Sequence, residues 1–340
     1  QINGLSTDQL GRLTATQFGG LTTQVIANLT TTLVVGLNAT QLKAISTDQI
    51  QALTTASLDK LSTNQVANLS ATQIGAISTS KLGGINSGQI AAFSTSQLQG
   101  LTTSQTANLT STQISNISTD KVSVLSINQL QALGTSGIAV LTSTQVQNLI
   151  ASQLNSLTSS QFQSLNSSGL ANLATTRLSA ISTSQIAVLA SGIVGAFSTT
   201  QLASLTSSQM QSLTTSAIGS VQTTQVSGLQ AVDLAALSTS QVATITTGVI
   251  NLLNTTQIQA ITSAGVAALG TSQVQAITTT SLSNMLSAQF SALSTTQLSN
   301  LTTSQTASLT STQVVSLSSE KLYALSTAQI NSLSTSSIAQ

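Results

Sequence analysis

The 340-residue chain has no cysteine, histidine, tryptophan or proline, and its charged residues amount to only 4% of the total. Without His and Cys, general acid–base and nucleophilic catalysis lose their usual groups, and the abundant serines have no base to activate them. Seven basic residues are spread from Arg12 to Lys321 against six acids, for a net charge of +1. That distribution forms no basic stripe, so nucleic acid and anionic membrane surfaces are not expected partners. The longest apolar stretches, such as 33–37, fall far short of the roughly 20 residues a membrane-spanning helix needs, so membrane insertion is not expected either. Aromatics are scarce at 2%, whereas apolar residues as a whole reach 40%. A chain that apolar, with those residues at fixed intervals, is expected to fold rather than to remain disordered.

The interval is eight residues. From Leu5 the chain reads LSTDQLGR, LTATQFGG, LTTQVIAN, LTTTLVVG, LNATQLKA, ISTDQIQA and onward through 42 uninterrupted octads to Gln340. The consensus is Leu or Ile at position 1, Ser or Thr at 2 and 3, a variable 4, Gln at 5 (in 26 octads), Leu, Ile or Val at 6, and small or amide residues at 7 and 8. Gln at position 7 (51, 99, 131, 147, 163, 211, 259 and 275) falls only in even-numbered octads, which points to a 16-residue unit, two octads per coil. A longer echo, LTTSQTANLTSTQ from Leu101 and LTTSQTASLTSTQ from Leu301, suggests growth by duplication of a large block. Residues 1–340 therefore read as one continuous array. Gln1 to Gly4 fill positions 5 to 8 of an octad, so a window from a longer protein is expected.

One octad encodes a helix start. In Leu61-Ser62-Thr63-Asn64-Gln65-Val66, with Ser62 as N-cap, Gln65 falls at N3, Leu61 at N′ and Val66 at N4. This is a capping box superposed on a hydrophobic staple. A continuous helix is a poor alternative, because eight residues advance about 800° and the apolar stripe would drift by roughly 80° per repeat. A helix of five or six residues from position 3 to about position 8, then a turn that buries position 1, removes the drift. The expected fold is therefore all-α, a solenoid of very short helices. A β-solenoid is the alternative, since Ser, Thr, Ile and Val suit strands and Thr or Gln rows stack well between coils. Against it, the apolar spacing of five then three lacks strand alternation. The two apolar side chains of one octad do not offset the entropy of ordering eight residues, so stability must come from stacking.

Runs such as LSTSQIAVLASG and LTTSQTANLTSTQ resemble the Leu-Ser/Thr-Thr-x-Gln arrays of very large bacterial surface and secreted, adhesin-like proteins. The resemblance spans the whole chain. It implies an extracellular or cell-surface structural role as a rod, filament, sheath or adhesin stalk, with self-association into a fibre and attachment to a cell surface or extracellular matrix. The alternative function is a repetitive binding face for ice or carbohydrate, which depends on the β-solenoid form.

No catalytic, cofactor or metal site is expected, and an enzyme is not. The acids Asp8, Asp48, Asp59, Asp120, Asp233 and Glu320 are scattered singly and build neither a paired carboxylate nor a cation cage. Asp8, Asp48, Asp120 and Glu320 fall at position 4, N2 of the expected helices, where negative charge favours the helix dipole. Asn-x-Ser/Thr sequons at Asn28, Asn38, Asn68, Asn108, Asn116, Asn166, Asn254 and Asn300 mostly arise where Asn at position 8 meets the next Leu-Ser/Thr.

Overall fold

A computed structural model describes residues 2–334. In the octad from Leu61, Ser62 is extended at φ −66° and ψ 160°. The Gln65 N–H donates to Ser62 Oγ at 3.2 Å, and the Ser62 N–H donates to Gln65 Oε1 at 2.7 Å. The helix Thr63–Ala67 starts at position 3, as the cap requires. It is closed by the N–H of Leu69, which donates to the Val66 carbonyl three residues back at 3.1 Å. Position 1 or 2 is then extended, as at Ile77 (ψ 130°) and Ser70 (ψ 160°), and hands the chain to the next cap.

Repetition of this cassette yields forty α-helices of four to six residues and two 3₁₀ helices, Ile2–Gly4 and Thr223–Gly228, with no strand among the described residues. The all-α solenoid of very short helices is thus the observed fold, and the flat β face required by an ice- or sugar-binding solenoid has no scaffold among those residues. Positions 1 and 6 make the core: Ile74 and Ile77, Leu98 and Leu101, and Leu298 and Leu301 are all buried. One departure is Gly134, at position 2, the first residue of the helix Gly134–Ala139, which follows Ile127–Ala132 after a single residue. It adopts φ +64°, a left-handed conformation that only glycine enters without strain.

The chain divides into two compact units, Gln1–Leu170 and Ala171–Gln340. In the first, Ala15–Gly19 packs on Ala39–Ala44 and Thr103–Ala107 on Ile127–Ala132. In the second, Ser263–Ala267 packs on Ser287–Ala292 and Thr303–Ala307 on Thr327–Ser332. Every one of these partners lies 24 residues on, three octads rather than two. The expected 16-residue coil is therefore corrected: helices stack at a step of three octads.

The stacking explains positions 7 and 8. A Cβ on Gly100, at position 8, would lie 2.8 Å from the Cβ and carbonyl oxygen of Ala71, at position 3 of the octad three repeats earlier. A Cβ on Gly75, at position 7, would lie 2.8 Å from the Gly100 carbonyl oxygen, 25 residues on. Small residues permit that close approach. Gln at position 7 uses the same carbonyl instead: the Nε2 of Gln131, Gln259 and Gln275 donates to Ser156, Asn284 and Asn300 at 2.6, 2.6 and 2.7 Å. A bond that spans three octads joins octads of unlike parity. The even–odd pattern at position 7 thus reflects donor octads facing acceptor octads, and no two-octad coil is needed to produce it.

Candidate functional site

The recurrent polar feature of both units is a buried row of glutamines at position 5. Gln105 shows its full valence. Its backbone N–H donates to Thr102 Oγ1 at 3.1 Å, and its Oε1 accepts the Thr102 N–H at 2.8 Å. Its Nε2 donates to Ile74 O at 2.9 Å and Ile77 O at 2.6 Å, 31 and 28 residues earlier. The residue is 2% exposed, so these bonds form out of water, where an unpaired amide would be costly.

The same pair of carbonyls, at positions 6 and 1 of earlier octads, receives Gln41, Gln73, Gln89 and Gln97 in the first unit. In the second it receives Gln209, Gln225, Gln257 and Gln289. These carbonyls matter because a five-residue helix is nearly all terminus, and its last C=O groups have no partner within it. Each glutamine therefore caps its own helix with one end and closes the C-terminus of an older helix with the other. Since it touches both the third and the fourth octad before it, one turn of the solenoid takes between three and four octads.

Other residues at position 5 separate the two halves of this task. Lys81, Lys121 and Lys321 keep the donor: Nζ reaches the carbonyls of Gln51, Ala91 and Ser291, each 30 residues back. An ammonium accepts nothing, and Ser78, Ser118 and Ser318 make no side-chain cap bond. The Ser118 Oγ is buried without a partner. Asp233 keeps only the acceptor half. It takes the Gln230 N–H and, at Oδ1, the Ser207 hydroxyl at 3.0 Å, while its Oδ2 is buried and unpartnered. Burial raises its pKa above the ordinary aspartate value against the lowering pull of those two bonds.

The remaining acids stay apart. Asp8, Asp48, Asp120 and Glu320 sit exposed in first helical turns, as the dipole argument places them. Asp59 pairs with Lys60 at 3.2 Å; bonds from Lys60 and Asn86 hold its pKa below the ordinary value. No group of three or more potential metal-ligating side chains occurs among the described residues. Nor is any helix among them long and apolar enough to cross a membrane. Of the sequon asparagines, Asn68, Asn108, Asn116 and Asn300 donate from Nδ2 to a carbonyl four residues back, and Asn38 and Asn254 serve as N-caps.

Sequence reasoning assigned glutamine its cap and missed its reach to earlier octads. The signal was there: a capping box takes Glu as readily as Gln, yet Glu never occupies position 5. Glutamine donates as well as accepts, which an ionised glutamate cannot do. Among the six scattered acids, Asp233 alone stands at position 5, in the slot of a buried amide.

Repeated short helices closed by a glutamine ladder define a repeat protein of solenoid architecture. A family model described as the ALTTAQ repeat matches residues 82–119, and the same cassette continues on either side of that match. No curated protein matches the chain.

Proposed function

We propose that the chain is the structural repeat region of an extracellular bacterial rod, filament or adhesin stalk, acting through its shape rather than through catalysis. The observation that carries this reading is the glutamine ladder. Octads that carry a buried ladder glutamine are tied to the third and fourth octads before them by uncharged hydrogen bonds, so pulling on the array must break bonds that water does not replace until the layer opens. A ladder of neutral amides is also insensitive to ionic strength, unlike one of ion pairs. The surface it leaves, rich in Ser and Thr hydroxyls and nearly free of charge, suits association with further copies or with a cell surface or matrix. Large exposed apolar side chains are few, Tyr323 at 88% exposure among them.

Two measurements test the reading. Small-angle scattering of the purified chain should give a radius of gyration well above the roughly 20 Å of a compact 340-residue globule. A value near 20 Å would sink the rod. Antibody labelling of intact producing cells should stain their surface; staining only after permeabilisation would overturn the extracellular assignment.

A further inference from the structure

From Leu178 to Ser319 the chain carries a single charged residue, Asp233, and it is 1% exposed. Its octad and the one before are also the least regular in that stretch. Gln222 and Gln230 replace the Ser/Thr N-cap, and neither accepts a side-chain cap bond. The helix Thr223–Gly228 is 3₁₀ rather than α. A small apolar cavity bordered by Ile218, Val221, Leu229, Leu234, Leu237 and Val249 adjoins these two octads.

The position of Asp233 sets the chemistry. A glutamine there would offer Oε1 to the position-2 N–H and Nε2 to carbonyls 28 to 31 residues earlier, here Leu202, Ala203 and Leu205. One carboxylate oxygen performs the first task, and Gln230 Nε2 has taken over Ala203 O. The second oxygen, Oδ2, has no donor and, when ionised, can offer none to a carbonyl. As a neutral acid, Asp233 carries an acceptor and an O–H donor, the same pairing as the amide it replaces.

We propose that Asp233 is a proton-operated latch: as the neutral acid it stands in for the ladder glutamine and holds the layer Ala231–Ala236 closed, and as the carboxylate it leaves that layer free to open. No counter-charge interferes. The helices packed on Ala231–Ala236, Ser207–Ser212 and Thr255–Ala260, and the neighbouring segments Thr223–Gly228 and Thr239–Val242, contain no Asp, Glu, Lys, Arg, His or Tyr. With a folded-state proton affinity above that of the unfolded chain, the acid contributes stability that is fully present below the ordinary aspartate pKa. That contribution is lost as pH rises through the folded value. The chain has no histidine, the side chain whose ordinary pKa falls between about pH 5 and 8.

The test is amide hydrogen exchange on the full chain from pH 3 to 8, corrected for intrinsic exchange rates, for the wild type, D233N and D233Q. In the wild type the opening equilibrium of Ala231–Ala236 should increase with pH while that of Thr303–Ala307 does not. In both variants the rise should vanish, and D233Q, which restores the ladder donor, should be the least open at pH 8. A flat wild-type profile, or one that persists unchanged in D233N, overturns the latch. If either variant fails to fold, the wild-type contrast between the two segments still decides: a rise at Ala231–Ala236 alone supports the latch, and equal profiles refute it.

Discussion

Replacing Gln105 by leucine removes one rung of the ladder without removing volume. The Ile77 carbonyl, 2.6 Å from Nε2, loses its donor inside the fold, and Ile74 O keeps only the N–H of Ile77 at 3.1 Å. The Thr102 N–H loses its acceptor at 2.8 Å. At about 1–3 kcal/mol for each buried polar group left unsatisfied, and with about 1–2 kcal/mol returned by burying the leucine, the net loss should be about 2 kcal/mol. The natural control is Gln9, which is exposed and engages only its own cap. Gln9→Leu should cost no more than about 1 kcal/mol, the usual worth of a cap. Native-state hydrogen exchange separates the two, because repeat arrays open in local units and a single unfolding free energy is not defined for them. Gln105→Leu should raise the opening equilibrium of Ala71–Ala76 and Thr103–Ala107 by about thirtyfold. If Gln105→Leu opens its neighbourhood no more than Gln9→Leu opens its own, the ladder contributes nothing beyond capping and the structural argument fails.

Ile150 and Leu286 stand at N-cap position 2, are 45% and 53% exposed, and offer no hydroxyl to the N3 amide. Ile150→Thr and Leu286→Ser should each stabilise their own layer by about 1 kcal/mol, read as a lowered opening equilibrium of Ala151–Ser156 and Ser287–Ala292 in hydrogen exchange. Gly134→Ala should destabilise Gly134–Ala139 by about 1–2 kcal/mol because alanine must enter the left-handed region, whereas Gly270→Ala, at an ordinary extended φ of −71°, should change the opening free energy of Thr271–Ala276 by only a few tenths of a kcal/mol, both read by hydrogen exchange. Deleting the octad 101–108 should cost half as much of the unfolding enthalpy as deleting 101–116, measured by calorimetry. If the eight-residue deletion unfolds the chain and the sixteen-residue one does not, the parity of octads is structural after all.

How much of this was legible in the sequence follows from which interactions are local. The cap of Ser62, the N3 role of Gln65 and the staple of Leu61 against Val66 all act within six residues, and side-chain type and spacing determine them. The stacking step does not act locally. It depends on the angle at which each extended link at positions 1 and 2 turns the chain, and Leu, Ser and Thr at those positions say nothing of that angle. The position-7 glutamines did carry information about it, since their restriction to even octads is compatible with any odd step. A step of three octads satisfies it as fully as pairing within a two-octad coil would.

The scarcity of charge then has a physical origin in the ladder. A polar side chain at position 5 meets one N–H to accept and carbonyls to donate to in the same dry environment, and the polar substitutions show what each leaves undone. Lysine donates but leaves Ser118 Oγ stranded. Aspartate accepts but strands its own Oδ2. Serine reaches only one partner set at a time: Ser281 Oγ donates to Leu253 O at 3.2 Å, and Ser57 Oγ bonds the cap hydroxyl of Thr54 at 2.9 Å. Glutamine is long enough, two-sided and neutral, so it meets both demands without the desolvation cost of an ion. An array that repeats this solution needs no ion pair to join its layers, and among the described residues the one side-chain ion pair, Lys60 with Asp59, is exposed and joins no layers.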